Sequence, residues 1–281
     1  MTTTRLIHRI EALTMNVQKN TAKSLLNADR SADPLQDSQI IADLADARQG
    51  QAFFDQKFRE LDIVELRQAS LLPGWTRAHV IAHVAYNARA LGRLVAWAQS
   101  NIECPMYESA DARNREIDLG ATLSGPELLQ LSADEAGQLD KAWRNLPKDR
   151  WEYHVKNAQG VSISVAETVW MRSRELWLHA LDLDNGARAD DIPDSALHRI
   201  LQDVLTVWAS RDGIAVRARV SDSGVEVQPL GVQRNDLGAT NVAGTLPDLV
   251  MWAAGRRRHG VVEVGSAGRE ISAVPEAPRW L

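Results

Sequence analysis

The 281-residue chain contains a single cysteine, Cys104. That excludes an internal disulfide and any cysteine-rich zinc site, and it fits a cytoplasmic protein. No apolar run approaches the ~20 residues that span a bilayer, and residues 1–36 hold no apolar stretch of the kind a secretory signal carries. An excess of basic residues is also missing. Lys and Arg number 32 against 37 Asp and Glu, a net charge of −5, so nothing points to a nucleic-acid partner. GxGxxG and P-loop patterns are absent, which argues against a nucleotide cofactor. Internal repeats and low-complexity tracts are absent too. Tyr and Phe are scarce, three of each, against nine Trp. A Trp can wall a pocket while its N–H finds a partner, but most of the nine are expected to be ordinary core residues.

What is present is a chain of ordinary globular composition, 44% hydrophobic and 25% charged, long enough for one large or two modest domains. Residues 1–36 are polar and slightly basic, with Arg5, Arg9, Lys19, Lys23 and Arg30 against Glu11 and Asp29. They read as a peripheral arm with room for a short amphipathic helix over 4–14. Apolar periodicity through Ile41, Leu44, Ala45, Ala52, Phe53 and Phe58 predicts a helix over 40–61. The turn Leu72-Pro73-Gly74-Trp75-Thr76 leads, with Thr76 as N-cap, into a helix over 77–100. Residues 103–123 read as a loop. Ser124 and Glu127 form a capping box that opens a third helix to 146, and Ser164 with Glu167 opens a fourth to 183. Beyond Asp184-Asn185-Gly186 the pattern changes to a helix over 193–211, strands over 214–220 and 225–227 joined through Asp222-Ser223-Gly224, a third strand over 240–245, a helix over 246–254 and a strand over 261–264. The expected class is α+β in two domains: a four-helix bundle over 37–186 and a small α+β domain over 190–281.

The fourth helix carries the chemistry. Glu175 and His179 are spaced i, i+4 and share one face, among Trp170, Met171, Leu176, Trp177 and Leu178. On spacing alone, a Glu–His contact on a solvated face is the plainer reading. The second helix changes the balance, because His79 and His83 repeat the i, i+4 spacing. Bundle sites are built from side chains on facing helices. A set of two His and one Glu leaves an open coordination position, the mark of a catalytic zinc. Which of the two histidines takes part stays open at this point. Arg113 and Arg115 lie in the 103–123 connector. Local sequence favours a solvated basic turn there, although paired arginines also suit carboxylates.

Longer motifs carry a resemblance. Gly74-Trp75-Thr76-Arg77-x-His79-x-x-x-His83-Val84-Ala85-Tyr86-Asn87-Ala88, Pro105-Met106-Tyr107 and Arg113-Asn114-x-Glu116 resemble the mycothiol-dependent maleylpyruvate isomerases. So do Glu167-Thr168-x-Trp170-Met171-Arg172-Ser173-Arg174-Glu175-x-Trp177-x-His179-Ala180-x-Asp182-Leu183 and, near the end, Ala253-Ala254-Gly255-Arg256 and Pro275-Glu276-x-Pro278-Arg279-Trp280-Leu281. The similarity runs from residue 38 onward and is best over 72–184; the arm and residues 212–245 depart from the pattern. The resemblance implies a DinB-like bundle followed by a small α/β domain. It implies zinc on His83, Glu175 and His179, and catalytic, cofactor-binding arginines at Arg113 and Arg256. Trp75 and His79 are implied to line the cofactor pocket. The implied partners are mycothiol and maleylpyruvate, isomerised to fumarylpyruvate in gentisate breakdown by a cytoplasmic monomer. Another zinc-dependent transferase of a low-molecular-weight thiol is the alternative on the same scaffold, with a zinc-stabilised binding module behind it. Asp182, three residues past His179, or a backbone carbonyl is expected to accept that ring's second N–H.

Overall fold

The computed structural model describes residues 38–231, 240–265 and 270–280; the expected arm and its short helix lie outside them. The described residues from Ala42 onward form one compact unit. Among the described residues, five α-helices come first: α1 Ser38–Arg59, α2 Arg77–Ser100, α3 Ala110–Gly120, α4 Gly125–Asn145 and α5 Glu167–Asp182, with a hairpin of β1 His154–Lys156 and β2 Ser162–Ser164 before α5.

Thr76 starts α2 as expected: its side chain accepts the N–H of His79, while the His79 ring accepts the N–H of Thr76. The capping box at Ser124 and Glu127 also forms, with Pro126 in the first turn of α4. The box expected at Ser164 forms only in half. Glu167 accepts the Ser164 N–H at 2.9 Å, but Ser164 is the last residue of β2 and Ala166 sits at the N-cap. The expected loop over 103–123 contains α3, capped by the Ser109 side chain on the N–H of Ala112. Gly120 ends α3 close against α2. A Cβ there would stand 2.8 Å from both Ala82 Cβ and the Tyr86 ring, so only hydrogen permits this approach.

Helix α5 is buried almost all round, although half of its residues are polar or charged. Leu176, Ala180 and Leu183 face a core shared with Phe54, Phe58 of α1, Ile81, Val84 of α2 and Leu128 of α4. Trp170, Trp177, Leu178 and Leu181 face a second core with the C-terminal elements. The remaining face presents Arg172, Glu175, His179 and Asp182, at i, i+3, i+7 and i+10.

The second core lies on a mixed five-stranded sheet of order β4-β3-β5-β6-β7, built from β3 Val216–Val220, β4 Glu226–Val227, β5 Thr240–Gly244, β6 Val262–Val264 and β7 Glu270–Ala273. Strands β3 and β5 are parallel, and the other neighbours are antiparallel. The β3–β4 turn places Gly224 at φ 70°. Helices α6 Asp194–Val207 and α7 Leu246–Ala253 bury Leu197, Ile200, Leu201, Val204, Leu249, Val250 and Trp252 in this core. Eight of the nine Trp are buried. Trp75 alone is half-buried, packed against the first core.

Candidate metal centre

The second turn of α2 and the middle of α5 bring three side chains together. His83 Nε2 lies 3.0 Å from Glu175 Oε2 and His179 Nε2 lies 3.2 Å from the same oxygen. One ligand atom from each residue falls within 4.8 Å of the others. The two rings stand perpendicular, with centroids 4.7 Å apart. Side-chain exposure is 8% for His83, 15% for Glu175 and 12% for His179, so these groups are largely withdrawn from bulk water.

Each group's protonation follows from its neighbours. Burial lowers the His83 pKa to about 4, only partly offset by Glu175, so this ring is neutral. Burial also opposes charge on His179, but the bonds to Asp182 and Glu175 outweigh it and raise the pKa to about 9. That ring is an imidazolium, donating Nδ1–H to Asp182 Oδ2 at 2.8 Å and Nε2–H to Glu175. Burial opposes the Glu175 carboxylate too, yet hydrogen bonds from His179 and His83 hold it well below the usual range.

The sign of this arrangement gives a prediction for metal-free protein. Between pH 6.5 and about 9 the folded state keeps a proton on His179 that the unfolded chain has released, so raising the pH favours unfolding. The contribution is whole below pH 6.5, is lost as the pH rises through about 9, and is worth on the order of 3 kcal/mol. Chemical denaturation of chelator-treated protein at pH 6 and pH 9 measures it. Equal stability at the two values would contradict a charged His179.

Around the triad, Arg113 of α3 points Nη2 at His83 Nδ1, 3.2 Å away, and Nη1 at Asn114. An arginine offers only protons, so His83 Nδ1 accepts here and Nε2 carries the proton given to Glu175. The Arg113 guanidinium also lies over the Tyr107 ring at 5.8 Å. Burial pushes the Tyr107 phenol up, and Arg113 pulls it partly back. Trp75 packs edge-on against His83, centroids 5.4 Å apart, and His79 stacks behind Trp75 at 6.3 Å. His79 is otherwise engaged in the cap of α2, with Nδ1 2.7 Å from Thr76 Oγ1.

Two groups escaped the sequence reading. Arg172, 1% exposed, is pinned to Val84 O, Asn87 Oδ1 and Gln51 Oε1. Burial lowers its pKa to about 10, against the opposing pull of Glu175 and Asp55, so it stays a fixed cation behind the triad. Its signal in the sequence was a charge set between Trp170, Met171 and Leu176. The other is the partner of Arg256. Its Nε and Nη2 reach Asp182 Oδ1 and Oδ2 at 3.0 and 2.7 Å, so Arg256 joins the triad through Asp182 rather than by facing it.

The three side chains suit a metal ion by their donors. Two imidazole nitrogens and a carboxylate oxygen converge from one side, and Asp182 already holds the far nitrogen of His179, as second partners of metal-bound histidines do.

A family model for the mycothiol maleylpyruvate isomerase N-terminal domain matches residues 47–184. A crystal structure of a mycothiol-dependent maleylpyruvate isomerase is 39% identical, with a TM-score of 0.76, covering 86% of this chain and 97% of the other. The chain belongs to the mycothiol-dependent maleylpyruvate isomerase family. A histidine-to-alanine mutant of such an isomerase is similar at 38% identity with the same coverage and TM-score. The comparison with curated proteins gives no match. Within this isomerase family frame, the family model spans all of α2 to α5, and so includes the helices of the triad and of Arg113. Arg256 lies beyond it.

Proposed function

We propose that this protein is a zinc- and mycothiol-dependent isomerase that converts maleylpyruvate to fumarylpyruvate, a step of gentisate breakdown. The observation that carries the reading is the convergence of His83, Glu175 and His179 in a chain 39% identical to a mycothiol-dependent maleylpyruvate isomerase. In this reading α1, α2, α4 and α5 are the four helices of a DinB-like bundle domain over 37–186, α3 is an addition to it, and 190–281 is the second domain. The single cysteine supports a cytoplasmic setting, and the protein acts as a monomer. No described helix is long and apolar enough to cross a membrane.

A carbon–carbon double bond does not rotate unaided. Addition of a thiolate to one alkene carbon makes the bond single and moves an electron pair toward the ketone oxygen. Rotation follows, and elimination of the thiolate restores the alkene as its trans isomer. His83, Glu175 and His179 would hold zinc with a position left open, and the ion would supply the positive charge that favours the thiolate form of a thiol at neutral pH. The protein has only Cys104, so the thiol comes from a cofactor, and the family to which the chain belongs points to mycothiol.

The chain's own residues do the rest. If His83 gave Nε2 to a metal, its proton would sit on Nδ1, and Arg113, which offers only protons, would be freed from that nitrogen for the substrate. Its fork binds carboxylate and, at the ketone, stabilises the enolate charge that addition creates. Trp75 packs on His83 and Tyr107 under Arg113, and Arg172 is a fixed buried cation whose charge Glu175 favours. Following maleylpyruvate in the presence and absence of mycothiol tests the reading. Turnover is expected only with the thiol. Full turnover without any thiol, or none with mycothiol and zinc present, would contradict it, and turnover with a different thiol acceptor alone would favour the transferase.

A further inference from the structure

Arg256 is set by the end of α7, not by the site. Ala254 caps that helix, Gly255 takes φ 74°, and the N–H groups of Gly255 and Arg256 return to Trp252 O and Met251 O. This six-to-one and five-to-two pair is a Schellman ending, which fixes the residue after the glycine in space. From there the side chain reaches α5 and lays two nitrogens on the two oxygens of Asp182, while Nη1 gives to Ala254 O. Asp182 is fully buried and Arg256 is 10% exposed. A carboxylate in that position tolerates burial because it is paired twice, with Arg256 and with the His179 ring.

We propose that Arg256 is a positioning residue of the metal centre rather than an anchor for substrate. It holds Asp182 in one orientation, and Asp182 holds the His179 ring with Nδ1 protonated and Nε2 aimed at Glu175. The end of α7 therefore sets how well α5 binds metal, across 74 residues of sequence. A lysine at 256 keeps the charge but has one nitrogen where the fork needs two. Asp182 is then held at one oxygen and the His179 ring loses its fixed bearing. The inference rests on the zinc assignment above, and the experiment separates the two.

Zinc dissociation constants are measured by competition with a chromophoric chelator for the wild type, Arg256→Lys, Asp182→Asn and the double variant, each checked for helicity by circular dichroism. Loss of an outer partner weakens metal binding roughly 10- to 100-fold. Arg256→Lys and Asp182→Asn are each expected to fall in that range. The double variant is expected to bind no more weakly than Asp182→Asn alone, because Arg256 acts only through Asp182. With zinc saturating, Arg256→Lys keeps the wild-type KM for maleylpyruvate. An unchanged zinc affinity in Arg256→Lys together with a raised KM would overturn the proposal and make Arg256 a substrate anchor. Additive losses in the double variant would also overturn it. A wild type that binds no zinc would sink the metal assignment itself, a result distinct from either.

Discussion

Replacing His83 by alanine abolishes metal binding and lowers turnover by about a thousandfold or more, while the protein still folds. The chemistry attributed to the metal is worth several kcal/mol, and about 4 kcal/mol already corresponds to three powers of ten in rate. With His83 gone, two ligands remain on one helix and nothing comes from α2. The fold does not depend on this ring. Around it α2 buries Val80, Ile81, Ala82, Val84, Ala85 and Ala88, and those contacts remain. Glu175 keeps one of its two hydrogen-bond donors, His179. Metal content by mass spectrometry and a thermal melt on the same sample separate the two effects. A variant with full metal occupancy would mean that His83 is not a ligand. His79 is poorly placed to replace it, since its Nδ1 is engaged with Thr76 and its Nε2 lies 3.9 Å from Asp118.

Arg113→Lys lowers kcat by about a hundredfold and leaves KM within a few-fold of wild type. Removal of one well-placed donor to a developing oxyanion costs 10²–10³ in rate as a rule, roughly the scale expected here. Lysine keeps the positive charge, so simple attraction of the substrate's carboxylates survives. What goes is the planar pair of donors. An interaction strengthened only after thiolate addition appears in kcat rather than in KM. Zinc content stays at the wild-type level, because Arg113 contacts His83 at the nitrogen that the metal does not use. A raised KM with unchanged kcat would reduce Arg113 to a carboxylate anchor.

Much of this site was legible along α5. The i, i+4 spacing of Glu175 and His179 and the i+3 carboxylate at Asp182 are local relations that a helix converts directly into geometry. Thr76 as a cap and the strand signals from 214 to 264 were legible for the same reason. The same local reading failed at α3. Its sequence, Ala110 to Gly120, buries only Ile117 and Gly120, so it has no apolar stripe to give a helical period, and Ser109 was its one signal. β7 was also missed: all four of its residues are exposed, so the alternation that marks a half-buried strand is absent. Pairings between distant segments carry no local signature at all. Arg256 on Asp182, Arg113 on His83 and Arg172 under the triad depend on how α7, α3 and α2 pack against α5, and only the folded chain displays them.

The central claim is that metal on His83, Glu175 and His179 makes the thiol reactive. Its most direct test is to strip the protein of metal, add zinc in steps below one equivalent per chain, and follow maleylpyruvate turnover with mycothiol at each step. The account predicts no turnover at the start, a linear rise, and a plateau at one zinc per chain. Full turnover in the stripped protein, with no response to added zinc, would contradict it.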